Sequence, residues 1–188
     1  AYPLQTHEML FDAHNHAFEV LGGVPRRGIY DNMRTAVDRV HKGKKRDVNA
    51  RFGAMVSHFL FEAEFCNPAA GWEKGQIEKN VRDARHRLWQ SAPAFASLAD
   101  LNDWLLQRCQ ALWHEIDHSR LGGTVAQAWE RERSQLMPMP RPFDGFVDHT
   151  KRVSPTCLVH FERNRYSVPA SYANRPVSLR VYADRIVV

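Results

Sequence analysis

Apolar positions recur at helical spacing over residues 6–21, where Leu10, Ala13, Ala17 and Leu21 predict one buried helix face. Gly22-Gly23 supplies the stop. Residues 24–30 then read as a short strand, with Ile29 and Tyr30 running into Asp31. Val37 and Val40 flank a basic run and predict a hairpin or loop excursion. From Asn49 the pattern is helical again, through Phe52, Met55, Val56 and Phe59. Over residues 60–66, Phe61, Ala63 and Phe65 alternate with Glu62 and Glu64, the signature of a strand that Asn67-Pro68 ends. Ile77, Val81, Ala84 and Leu88 predict a helix from about Lys74 or Gly75 to Trp89, with Glu78 in its first turn. Glu78, Arg82 and Arg85 share an adjacent face of that helix.

Beyond the break at Pro93, the run Ser97-Leu98-Ala99-Asp100 has the form of a capping box. Leu98, Leu101, Leu105, Cys109, Leu112 and Ile116 line one side of the helix it opens. Gly122-Gly123 is a turn, and Thr124–Gln127 is a second capping pattern before a charged helix reaching about Leu136. Pro138, Pro140 and Pro142 mark a linker, because proline withholds the backbone donor a helix needs. After Phe143 the period becomes 2: Cys157, Val159 and Phe161, then Tyr166 and Val168, then Val177, Leu179 and Val181. Arg163-Asn164-Arg165 and Asp184-Arg185 read as turns, and the last run, 186–188, stops in mid-strand. These patterns predict an α/β protein in three parts: residues 1–92, a helical connector and Pro-rich linker over 93–142, and a small all-β module over 143–188.

The 188 residues carry a formal charge of +5, which points to a polyanionic partner. No apolar run approaches the roughly 18–20 residues of a membrane span, and no signal-peptide pattern opens the chain. Three widely separated cysteines, Cys66, Cys109 and Cys157, fit a reducing cytoplasm and neither a disulfide framework nor a zinc site. Asp31 at a strand end and Glu78 on a helix are a pair that can converge on a divalent cation, since Mg²⁺ takes one or two carboxylates together with substrate phosphates.

Three segments carry a family likeness. The runs L-G-G-V-P-R-R-G-I-Y-D-N-M-R-T-A-V at 21–37, G-W-E-K-G-Q-I-E at 71–78 and N-R-Y-S-V-P at 164–169 resemble, in the same order, the IstA-type transposases of bacterial insertion sequences. That family belongs to the DDE transposase and retroviral-integrase superfamily. The resemblance implies a ribonuclease H-like integrase catalytic core followed by a small β-barrel. It also implies Mg²⁺- or Mn²⁺-dependent cleavage and strand transfer of transposon-end DNA. Asp31 matches the second catalytic Asp and Glu78 the catalytic Glu, both as metal ligands. The first catalytic Asp of the family would lie upstream of Ala1, so the expectation is a C-terminal fragment, inactive alone and weak in metal binding. Double-stranded DNA, further copies of the same chain and an ATPase helper are the implied partners, in a nucleoid-associated cytoplasmic protein.

Plainer readings stand beside each candidate. Asp31 suits an Asx turn after a strand. Glu78 suits the acidic first turn of a helix, with Glu73, Glu62 and Glu64 as rivals for the metal. Lys42, Lys44, Lys45 and Arg46 form either a solvated loop or a phosphate-contact run. Arg82 and Arg85 sit where DNA phosphates would lie beside a metal, and Arg163, Arg165 and Arg175 either face DNA or are exposed turn residues. Trp104, Trp113 and Trp129 read as helix packing. His14-Asn15-His16 spells the letters of an HNH nuclease, but residues i and i+2 of one helix point apart, so these are ordinary helix side chains. The rivals to a transposase are a noncatalytic DNA-binding or assembly module and, less well supported, a ribonuclease H-like nuclease.

Overall fold

A computed structural model describes residues 1–41, 45–66, 71–90 and 93–188, and within the third helix it leaves the side chains of 71–78 and 80 undescribed. The first helix, α1 (His7–Leu21), ends as the glycine pair predicts. Gly22 takes φ +74°, and the amides of Gly22 and Gly23 cap the carbonyls of Glu19 and Phe18. The buried face is not the expected one. Phe11 and Phe18, seven residues apart, enter the core, while Ala17 is exposed and Leu10 and Ala13 are only partly covered. Two aromatic rings bury more surface than a Leu/Ala stripe, and they rotate the helix toward themselves.

Strand β1 (Arg27–Tyr30) pairs in parallel with β4 (Glu62–Phe65), in register Arg27↔Glu62 to Tyr30↔Phe65. Between them lie the antiparallel pair β2 (Val37–Val40) and β3 (Arg46–Val48) and helix α2 (Ala50–Phe59). Asn49 caps α2 by accepting from the amides of Arg51 and Phe52. Phe52, Met55 and Phe59 of α2 meet Phe11, Phe18, Val24, Val37 and Phe61 in the main core. Gly28 keeps that core dense, because a Cβ there would come within 2.8 Å of the Tyr30 ring folded back over it.

Helix α3 (Gly71–Trp89) begins earlier than the pattern predicts, so Glu78 lies about two turns inside it rather than in its first turn. Of its expected apolar stripe, Val81, 47% exposed, and Ala84 are uncovered and Leu88 is half-buried, while the Ile77 side chain lies outside the described residues. Helix α4 (Leu98–Glu115), capped by Ser97, and α5 (Val125–Glu132), opened by the reciprocal Thr124–Gln127 box, form a helical hairpin held by the Trp113–Trp129 contact at 5.7 Å. The proline run returns as an extended strap across the main core. Met137 exchanges both backbone hydrogen bonds with Val24, His58 Nε2 donates to the Arg141 carbonyl at 2.8 Å, and Met139 and Phe143 pack inward.

The C-terminal strands are β5 (Val147–Arg152), β6 (Leu158–Phe161), β7 (Asn164–Ser167), β8 (Pro176–Val181) and β9 (Ile186–Val187). They form a β5-β8-β9 sheet and a separate β6-β7 hairpin over a small core of Val153, Val159 and Leu179. No ladder closes them into a barrel, and β9, two residues long, is too short to carry pairing round the module. The β6-β7 turn falls one residue earlier than predicted. Glu162 (φ +44°) and Arg163 (φ +67°) are its two central residues, and Arg165 is a strand residue opposite His160.

Candidate functional site

The two parallel strands end side by side, and Asp31 and Cys66 are the first residues beyond them. The Cys66 amide still donates to the Tyr30 carbonyl at 3.0 Å, so the ladder runs up to the site. Asn32 Nδ2 donates to the Cys66 carbonyl at 3.1 Å, tying the two strand ends together. Arg46, at the start of β3, donates from Nε to Asn32 Oδ1 at 2.6 Å and from Nη2 to the same Cys66 carbonyl at 3.1 Å. The Asn32 side chain is thus held on both its amide atoms. Asp31 Oδ1 accepts from the Asn32 backbone amide, and Oδ2 has no partner among the described residues. Asp31 is exposed, so its free oxygen stands at the carboxyl end of a parallel sheet, where open α/β sheets bind their ligands.

The opposite face of β1 is fixed from below. Tyr30 reaches into the core and its hydroxyl meets His14 Nε2 at 2.8 Å, while His14 Nδ1 lies 2.7 Å from the Leu10 carbonyl. The imidazole also stacks against Phe61 with centroids 6.3 Å apart. Burial lowers the His14 pKa below its ordinary value and raises that of the Tyr30 phenol. Of the His14-Asn15-His16 trio, His14 is a core residue, Asn15 holds the strap, and His16 is solvated beside Asp12 at 3.4 Å.

The other sequence candidates divide. Lys42, Lys44 and the Glu78 side chain lie outside the described residues. Lys45 is exposed at the base of the hairpin, and Arg82 and Arg85 are exposed on α3. Arg46 is not a solvated member of the basic run: it is half-buried and bonded to Asn32 and to the carbonyls of Lys45 and Cys66. Arg163 and Arg165 are exposed on the β6-β7 hairpin, as is Arg175 before β8. Among the described residues, no three His, Cys, Asp or Glu side chains converge as a metal cluster. Sequence reasoning missed Asn32 and the bracing part played by Arg46. Asn32 stood in the quoted I-Y-D-N run, but nothing in the spacing of Arg46 told a brace from a phosphate contact.

Comparison with known proteins bears on this geometry. Residues 138–188 match the family described as Mu transposase, C-terminal domain. A transposase of Aminobacter aminovorans is 70% identical over 188 residues, all of this chain. The chain is homologous to insertion-sequence transposases. A transposase for insertion sequences IS1326/IS1353 from Pseudomonas aeruginosa is 67% identical over 187 residues, and one for insertion sequence element IS21 from the same organism is 27% identical over 185. The chain spans 37% of the length of the first two relatives and 47% of the third. Its fold is shared with a chain of the simian T-cell lymphotropic virus intasome, solved in complex with PP2A regulatory subunit B56 gamma. The TM-score is 0.51 at 13% identity, covering 94% of this chain and 55% of the other. Among the described residues of this chain, no helix is long and apolar enough to cross a membrane.

Proposed function

We propose that this chain serves DNA transposition as part of a metal-dependent DDE transposase, with Asp31 and Glu78 as two of its metal-binding carboxylates. The observation that carries the reading is Asp31 itself: an exposed carboxylate held by the Asn32 amide, with its other oxygen unpartnered among the described residues, at the end of a parallel strand, in a chain homologous to insertion-sequence transposases. A ribonuclease H-like core is supported by the parallel pairing of β1 and β4, which leaves the Asp31 carboxylate at the carboxyl end of the pair.

The donor set at Asp31 fits a hard cation, which takes oxygen ligands and tolerates few protein carboxylates when phosphates complete the shell. A divalent metal bound there would supply Lewis-acid activation of the attacking and leaving oxygens of a phosphodiester. The rest is the work of the chain. Asp31 Oδ1 is oriented by the Asn32 amide, which leaves Oδ2 to coordinate. The Asn32–Arg46–Cys66 brace holds the strand ends at one spacing, so the carboxylate reorganises little on binding. Arg82 and Arg85, exposed on the helix that carries Glu78, would receive DNA phosphates. An oligomer on transposon ends and an ATPase helper belong to the same reading, by family resemblance.

The test is strand transfer of a transposon-end duplex by the full-length protein in Mg²⁺. Asp31→Asn and Glu78→Gln should each cut the rate by more than roughly a hundredfold, beyond the 10–100-fold typical of outer-shell changes, with duplex binding retained. Asn32→Ala, which loosens only the brace, should fall within that smaller range. Full activity in Asp31→Asn overturns the assignment and favours a noncatalytic DNA-binding role for this edge.

A further inference from the structure

At the outer face of the C-terminal sheet two aromatic rings lie side by side, each with a guanidinium against it. In the β5-β8 pairing Asp148 lies opposite Arg180 and Val147 opposite Val181. Asp148, Thr150, Ser178 and Arg180 are exposed, while Leu179 enters the small core. Phe146, just before β5, and Tyr182, just after β8, continue the outward parity, and their rings lie 5.6 Å apart. The Arg180 guanidinium sits 4.5 Å from the Phe146 ring centre, and that of Arg185 4.1 Å from the Tyr182 ring centre.

Arg180 makes no hydrogen bond or ion pair among the described residues, although a carboxylate stands directly across the ladder from it. That carboxylate, Asp148, accepts instead from the Ser178 hydroxyl. Stacking engages the flat face of a guanidinium and leaves its in-plane N–H fork unused. Arg180 is therefore held by its ring and presents its donors to solvent. Arg185 is held at the other end of the aromatic pair, by Tyr182 and by the Asp184 carboxylate at 3.0 Å.

We infer that this array, Arg180–Phe146–Tyr182–Arg185, is a docking site for the phosphate backbone of duplex DNA, with Arg180 as a bidentate phosphate ligand. The inference rests on the DNA-transposition reading above and adds a binding surface to it. A guanidinium fork matches two phosphate oxygens, and a platform that fixes it beforehand lowers the ordering cost of that contact. Each ring is half-buried and spends a face on a guanidinium, so neither is open for a base to stack on, and the backbone of a duplex suits the surface better than an unstacked single strand.

The experiment is a salt titration of affinity for a non-specific duplex, using the whole chain and three variants. Arg180→Ala should weaken binding roughly tenfold at low salt and make the log–log salt slope shallower by about 0.9. Arg180→Lys keeps the charge and should restore the slope without restoring the affinity. Phe146→Leu leaves all the charge in place and should also weaken binding at an unchanged slope, the signature of a lost platform that a simple change of net charge does not give. Thermal melts of each variant confirm the fold, and Arg180 is exposed enough for its variants to keep it. If the parent binds and Arg180→Ala changes neither affinity nor slope, the array is not the site and the transposition reading stands. If the parent shows no duplex binding at low salt, the inference is overturned, while strand transfer by the full-length protein decides the transposition reading.

Discussion

His14 shows what one residue does in this core. Its imidazole bridges the Leu10 carbonyl and the Tyr30 hydroxyl beneath the strand that ends at Asp31. Burial lowers its pKa from the ordinary 6.5, so as the pH falls the unfolded chain takes up this proton before the folded one does. The contribution of neutral His14 to stability is therefore complete above about pH 6.5 and is lost progressively below it. Unfolding by denaturant between pH 7.5 and 5.5 should show the parent losing stability with a component of up to about 1.4 kcal/mol per pH unit that His14→Gln lacks. The other nine histidines are common to both proteins, so the difference isolates this one. Parallel pH profiles would mean that His14 titrates alike folded and unfolded.

Among the elements, the strap over residues 137–143 departs most from what a proline run suggests. Its prolines forgo donors, and its neighbours supply fixed partners in their place. Asn15 Nδ2 donates to the Phe143 carbonyl at 3.0 Å while the Phe143 amide donates to Asn15 Oδ1 at 2.8 Å, so one side chain stands in for a strand partner. The Phe143 ring meets Phe11 edge-on at 5.2 Å, and a Cβ on Gly145 would fall inside the Phe11 side chain. Gly145→Ala should cost about 1–3 kcal/mol through overpacking, and Asn15→Ala a similar amount through the two lost bonds. Denaturant unfolding with hydrogen exchange at the Phe143 amide checks both; unchanged stability and protection in Asn15→Ala would make the strap a passive linker. The elements themselves were mostly legible. α2 and β4 followed their periods, because each is buried on one face only. The buried face of α1 was not legible, because Glu8, His14 and Asn15 interrupt its apolar pattern, and long-range contacts with Tyr30 and Phe143 give His14 and Asn15 their places. The β6-β7 turn was misplaced by one residue because Glu162-Arg163 lacks the Asn or Gly that marks a turn with positive φ.

At the scale of the whole molecule, a main core, a helical hairpin and a small β module are joined so that one exposed carboxylate stands at the end of a parallel pair. Asp31 was legible because a strand-end Asp lies within a run that carries the family likeness. Its setting was not, since Asn32, Arg46 and Cys66 meet only through the fold. The Arg180 array escaped for a related reason: parity along β8 marks Arg180 as outward, but only the register with β5 brings Phe146 beneath it. The central claim is that Asp31 is a metal ligand, and the most direct measurement is paramagnetic broadening of backbone amide signals during titration of the chain with Mn²⁺. Broadening should begin at Asp31, Asn32 and Cys66 and at the amides around Glu78, and it should vanish in Asp31→Asn while the remaining spectrum is unchanged. Broadening centred on any other carboxylates, or broadening around Asp31 that persists in Asp31→Asn, would contradict the account.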